Sequence, residues 1–258
     1  GLGAIFGQIL ESSGGAEALA RTLVRSFGKD RANWALSLAG FIIAIPVFFD
    51  VGFIILVPIA YALARDTKLS VVHFGLPLAA GLAVTHSFIP PPPGPVAVAS
   101  LIGADLGWVI LFGALIGLPT AIVAGPVFGK YAGRLVNIPP PEHFLNNQDA
   151  QKKDEDLPCF SLVCAIIGVP LVLIVANSIL SLLASREVIA HSFFVEVMGL
   201  LGHPFAALII ATLLALYLLG TRRGFTRDQL LNLSSKALGP AGLIILVTGA
   251  GGVFKEIL

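Results

Sequence analysis

The chain has 258 residues, of which 56% are hydrophobic and 12% charged, against about 25% charged in an ordinary soluble domain. Mean hydropathy is +0.92 and the formal net charge is +1. These values exclude a disordered chain and a nucleic-acid binder working through a basic surface, and they argue against a soluble enzyme.

The charges are confined to a few places. Residues 33–64 hold one, Asp50, and residues 69–129 hold one, Asp105. Residues 157–185, 197–221 and 237–254 hold no Asp, Glu, Lys or Arg. About 20 apolar residues span a bilayer as a helix, so the pattern predicts an all-α, multi-pass integral membrane protein.

In chain order, residues 1–27 are interrupted at Glu11-Ser-Ser-Gly-Gly15, which predicts a re-entrant hairpin. Ser12, Ser13 and Gly14 at its tip offer hydroxyl and N–H groups to an oxyanion or a hydroxyl. The alternative is a capping pattern with Glu11 near water. Arg21, Arg25, Lys29 and Arg31 outnumber the acids of residues 17–31 and place that segment in the cytoplasm.

Residues 33–64 are too long for one plain helix and break at Pro46-Val-Phe-Phe-Asp-Val-Gly52. They read as a discontinuous crossing that emerges outside near Arg65–Lys68. Asp50 sits at the break, and it and Phe49 beside it are candidates for substrate contact. An ionisable group at membrane depth is a functional candidate; it is also a good N-cap for a half-helix starting at Val51. Residues 70–103 break at Thr85-His-Ser-Phe-Ile-Pro-Pro-Pro-Pro-Gly-Pro95 and read as a re-entrant pair returning to the outside. Thr85, Ser87 and Gly94 are candidates for substrate contact there. His86 is a candidate proton carrier because its ordinary pKa lies near neutrality, or else a buried histidine satisfied by a hydroxyl. The prolines cannot continue a helix, and a new helix is expected near Val96.

Asp105 is expected to cap the span 106–131, with Lys130 and Arg134 at its cytoplasmic end. Residues 134–156 form a polar linker between two halves. The span near 202–220 ends at Arg222, which the positive-inside rule keeps in the cytoplasm. Residues 186–196 are then external, the span 157–184 starts inside, and the linker is cytoplasmic. Cys159 and Cys164 point roughly 140° apart on a helix and read as two small core residues. His73, His143, His191 and His203 lack metal-ligand spacing. No nucleophile, phosphate loop or metal motif is present, so neither a catalytic residue nor a metal site is expected.

Both ends lie in apolar runs, which suggests an internal piece of a longer chain. Residues 249–258 match residues 1–10 at five of ten positions. An odd number of crossings between the copies is what an inverted repeat requires. The residues alone support a secondary transporter for a small organic anion. A membrane-embedded enzyme would need a nucleophile–base pair or a metal triad, and a channel would favour unbroken pore helices.

At these residues the sequence resembles the gluconate permease family of proton symporters. The resemblance lies in Glu11–Ala20, Ile45–Pro58, Gly75–Pro90, Pro93–Ala99, Gly103–Ile110 and Gly249–Phe254. It implies uptake of gluconate or a related sugar acid across the bacterial inner membrane, with D-serine, ketogluconate or fructuronate as alternatives. It implies protons as the coupling ion, carried by Asp50, His86 and Glu11, and no cofactor. It also implies paired re-entrant hairpins, elevator-like motion and often dimers. On that pattern residues 1–133 form part of a first repeat, residues 134–156 the linker, and residues 157–258 the start of a second repeat. Pro92 stands where many members carry a hydroxyl residue.

Overall fold

The computed structural model describes residues 2–141, 154–186, 188, 192–239, 242 and 246. The resemblance between residues 249–258 and 1–10, and the middle of the linker, lie outside the described residues. All regular structure among the described residues is helical: α1 (Leu2–Ser12), α2 (Gly15–Phe27), α3 (Ala32–Ile43), α4 (Phe49–Thr67), α5 (Val71–Phe88), α6 (Pro93–Leu101), α7 (Leu106–Ile122), α8 (Phe128–Leu135), α9 (Phe160–Ser185), α10 (Phe193–Leu201), α11 (Pro204–Ala215) and α12 (Arg227–Lys236).

Four stretches are long and apolar enough to cross a membrane: Val71–Leu101, Leu106–Leu135, Phe160–Ser185 and Pro204–Arg223. The 26 residues of α9 rise about 39 Å at 1.5 Å per residue, enough for the hydrocarbon core of a bilayer.

Polar contacts join helix ends at three junctions. Lys29 Nζ lies 3.9 Å from an Asp66 carboxylate oxygen, joining the segment before α3 to the end of α4. Ser70 Oγ donates to the Val136 carbonyl at 2.7 Å and accepts from Ile138 N–H at 3.1 Å. The Val71 N–H donates to the Ile138 carbonyl at 2.9 Å. The start of α5 is thereby tied to the segment that follows α8. Arg223 donates to the Asp156 carbonyl, joining the segment before α9 to the end of the α11 span.

These contacts correct one expectation. Residues 33–64 were expected to leave Arg65–Lys68 on the face opposite residues 17–31. The Lys29–Asp66 pair instead returns the end of α4 to the start of α3. The unbroken apolar count had no way to distinguish a crossing from a return.

The pair α3 and α5 packs backbone to backbone. A β-carbon at Gly81 would stand 2.1 Å from the Ser37 carbonyl oxygen, and one at Gly40 would stand 2.7 Å from that of Leu78. Small residues of this kind let membrane helices approach closely. The span that starts with α7 reaches the same scaffold through a wider, π-type turn at Val123–Val127. Pro126 has no N–H, so in that i→i−5 register the Ala121 carbonyl loses its partner. Ser37 Oγ approaches this carbonyl at 3.4 Å, and Asn33 Nδ2 approaches the Pro126 carbonyl at 3.5 Å. Two buried polar side chains of α3 thus serve the irregular backbone of a neighbour.

Further capping follows the sequence. The Asp105 carboxylate accepts from Gly107 and Trp108 N–H at 2.9 and 3.1 Å, as expected for the N-cap of α7. The helix α6 begins at Pro93, three residues before the expected start. Prolines are tolerated in a first turn because their missing N–H would have no helical acceptor there. The first bond is then Val96 N–H to the Pro92 carbonyl at 3.4 Å. Cys159 is exposed and Cys164 half-buried, which corrects the reading of both as core residues: Cys159 precedes the first turn of α9 instead of lying within it.

Candidate functional site

Two helix interruptions meet in the interior. The first, residues 44–48, separates α3 from α4; the second, residues 89–92, separates α5 from α6. Both border one cavity of about 670 Å³, the first through Ile45–Phe48 and the second through Pro90–Pro93. The helix α1 contributes Leu2, Gly3 and Ala4, and the start of α11 contributes His203, Pro204 and Phe205. Ser100 and His203 carry the only polar side chains among the described lining residues.

The sequence candidates fall on different parts of this arrangement. Asp50 lies in the first turn of α4 and is exposed. It is not the N-cap: Phe48 holds that position, α4 begins at Phe49, and no side chain caps the end. The carboxylate instead meets the positive end of the helix dipole from within the first turn. Phe49 stacks on Phe53, with ring centroids 6.0 Å apart. The adjacent Phe48 is the ring that borders the cavity, and it meets His86 edge to face at 5.8 Å and 66°.

Thr85 is fully buried and His86 half-buried in the last turn of α5. Thr85 Oγ1 and His86 Nδ1 are buried without a hydrogen-bond partner among the described residues. Among the described residues no neighbouring hydroxyl bonds His86 Nδ1, against the alternative of a histidine satisfied by a hydroxyl. Ser87 and Gly94 are exposed, the latter in the first turn of α6.

The expected tip at Glu11–Gly15 is a tight link between α1 and α2, with Gly14 left-handed at φ 80°. Ser13 is buried and its hydroxyl donates to the Leu10 carbonyl at 3.0 Å. That hydroxyl donates back to the last turn of α1. Gln8 Nε2 donates to Glu11 Oε2 at 3.0 Å and to Ser12 Oγ at 3.4 Å. Glu11 and Gln8 border a smaller recess that Phe48 and Val51 also border. Phe48 therefore touches both recesses, and His203 faces the larger one. Neither stood out in the sequence. A stacking partner at i+2, Phe205 with centroids at 5.7 Å, is the one local signal that marks His203.

The sequence has relatives along its whole length. It is 38% identical over 257 residues to a gluconate permease of Pseudomonas aeruginosa and to a low-affinity gluconate transporter of Escherichia coli. It is 36% identical over 260 residues to the L-idonate transporter of the Gnt-II system of Escherichia coli. Each comparison covers 100% of this chain but only 56–57% of the relative, so the chain spans little more than half their length. No solved structure matches it. The model for GntP family permeases matches residues 1–258, and the chain belongs to that family of transporters.

Proposed function

We propose that this chain is part of a proton-coupled transporter that takes up gluconate or a closely related sugar acid across the bacterial inner membrane. The observation that carries this reading is the convergence of two helix interruptions on one cavity bordered by Phe48, which meets His86 edge to face and lies two residues before Asp50. Interrupted backbone at membrane depth is tolerated where it faces protein or a water-filled cavity, and transporters place their sites at such breaks. A sugar acid is a small polyhydroxylated anion, and pockets of about 300–1,000 Å³ suit ligands of that class. The relatives, gluconate and L-idonate transporters, favour six-carbon sugar acids over D-serine.

In this reading the membrane topology is revised. The segment Ala32–Thr67 enters and returns to the cytoplasmic face, and Val71–Leu101 crosses through its proline break. Leu106–Leu135 returns to the cytoplasm, Phe160–Ser185 crosses outward and Pro204–Arg223 crosses back. The parity is unchanged, because one return and one crossing exchange places. The exposed Phe112, Leu115 and Ile116 of α7 would face lipid. Asp50 and His86 would carry the coupled proton, with Glu11 a further candidate on the other side of Phe48.

The test uses the full-length protein in proteoliposomes. Labelled gluconate is expected to accumulate under an inward proton gradient and to stop accumulating with a protonophore. Accumulation that ignores the protonophore would refute proton coupling. Competition by L-idonate but not by D-serine would place the substrate within the sugar acids.

A further inference from the structure

Phe48 stands between two environments of opposite character. One is the cavity, whose described lining is apolar apart from Ser100 and His203. The other holds His86 Nδ1, buried without a partner among the described residues. The Phe48 ring borders the first and meets the imidazole edge to face at 5.8 Å.

Two physical problems sit on either side of this ring. A buried polar atom without a partner costs about 1–3 kcal/mol, and such an atom calls for an explanation, such as a role in another state. A polyhydroxylated anion gains little from apolar walls, because its hydroxyls lose water without replacement bonds. Each side lacks what the other has. Phe48 lies on non-helical backbone at the start of α4, at φ −64° and ψ 148°.

We propose that Phe48 is a positioning residue that partitions the cavity from the His86 imidazole. In this arrangement the ring stands between the cavity and the imidazole and holds its orientation. Displacement of the ring joins the cavity to His86 and gives Nδ1 a partner from the ligand. The inference deepens the transport reading and rests on it for the nature of the ligand, a sugar acid.

Carbethoxylation of histidines by diethyl pyrocarbonate, read by peptide mass spectrometry on the full-length protein, tests the partition. His203, which is exposed, serves as the internal control. In the unaltered protein His86 is expected to react more slowly than His203. Phe48→Ala should raise the His86 rate about tenfold, the scale of a lost aromatic contact, with His203 unchanged. Phe48→Tyr should keep His86 protected. If Phe48→Ala does not fold, Phe48→Leu should show the same change at reduced size. A His86 rate that matches His203 from the start, or that ignores these substitutions, overturns the partition. Added gluconate is a separate arm and should protect His203. If it leaves His203 unchanged while the Phe48 results hold, the substrate assignment fails and the partition stands.

Discussion

Gly7 lies against the carbonyl of Pro46 so closely that a β-carbon at position 7 would stand 2.5 Å from the oxygen. This contact presses α1 onto the interruption between α3 and α4. A methyl group there forces the backbone of the interruption to move, which costs about 1–3 kcal/mol for an overpacked site. Gly3, one turn earlier, has nothing within 4 Å of its β-carbon position. Gly7→Ala is therefore expected to lower the thermal midpoint of the full-length protein in detergent. Gly3→Ala is expected to leave it unchanged or raise it slightly, since alanine gains up to about 1 kcal/mol of helix propensity over glycine. Equal midpoints for the two variants would remove the claim that α1 braces the break.

The Lys29–Asp66 pair makes a topological prediction. In a background free of native cysteines, Leu69→Cys, at a position 46% exposed, should react with an impermeant maleimide from the cytoplasmic face. Ile102→Cys, 72% exposed, should react from the opposite face. Labelling of both from one face would restore the reading in which residues 70–103 return to the side they start from.

Much of this arrangement was legible in the sequence, and the unread part has physical causes. The scarcity of charge marked the helix ends, and proline and glycine marked both interruptions. Asp105 announced its cap, because a lone Asp before an apolar run has a clear acceptor role. The return of α4 was missed because a crossing followed by a return has the same parity as a return followed by a crossing. Arg65 and Lys68 carry a positive-inside signal that favours the proposed order. Phe49 was chosen over Phe48 because neighbouring aromatic residues look alike in sequence. Their positions around the first turn differ by about 100°, and only the fold says which side faces the cavity. The pairing of Ser13 with Leu10 was equally hidden, since a hydroxyl can bond within its own helix or outside it.

Cys159 offers a pH-dependent test of the linker side. Hydrogen bonds from the Ser161 side chain first, then from the Ser161 and Leu162 backbone, hold its thiol below the ordinary value. More of it is thiolate at neutral pH, and the thiolate is the reactive form. Cys159 should label rapidly with an impermeant maleimide from the cytoplasmic face, while the half-buried Cys164 labels slowly. Ser161→Ala should slow Cys159 labelling near neutrality. The two rates should converge at alkaline pH, where both thiols are ionised. A Ser161→Ala rate equal to the parent's at neutral pH would show that the hydroxyl does not stabilise the thiolate.

The cap of α7 sets a stability scale. Asp105→Ala removes two hydrogen bonds to the first turn and should cost about 0.5–2 kcal/mol. Asp105→Ser should recover most of it. The thermal midpoint in detergent reads both. An Asp105→Ala midpoint equal to the parent's would mean that water replaces the cap.

The central claim is that the break beside Asp50 and His86 couples substrate movement to protons. The most direct measurement compares two assays on full-length Asp50→Asn in proteoliposomes: gluconate exchange at equal pH, and accumulation under an inward proton gradient. Asn keeps the shape of Asp and its place in the first turn of α4, but it cannot ionise. Exchange is expected to persist and accumulation to disappear. Accumulation at the level of the unaltered protein would contradict the account and leave Asp50 as a residue that only stabilises the start of its helix.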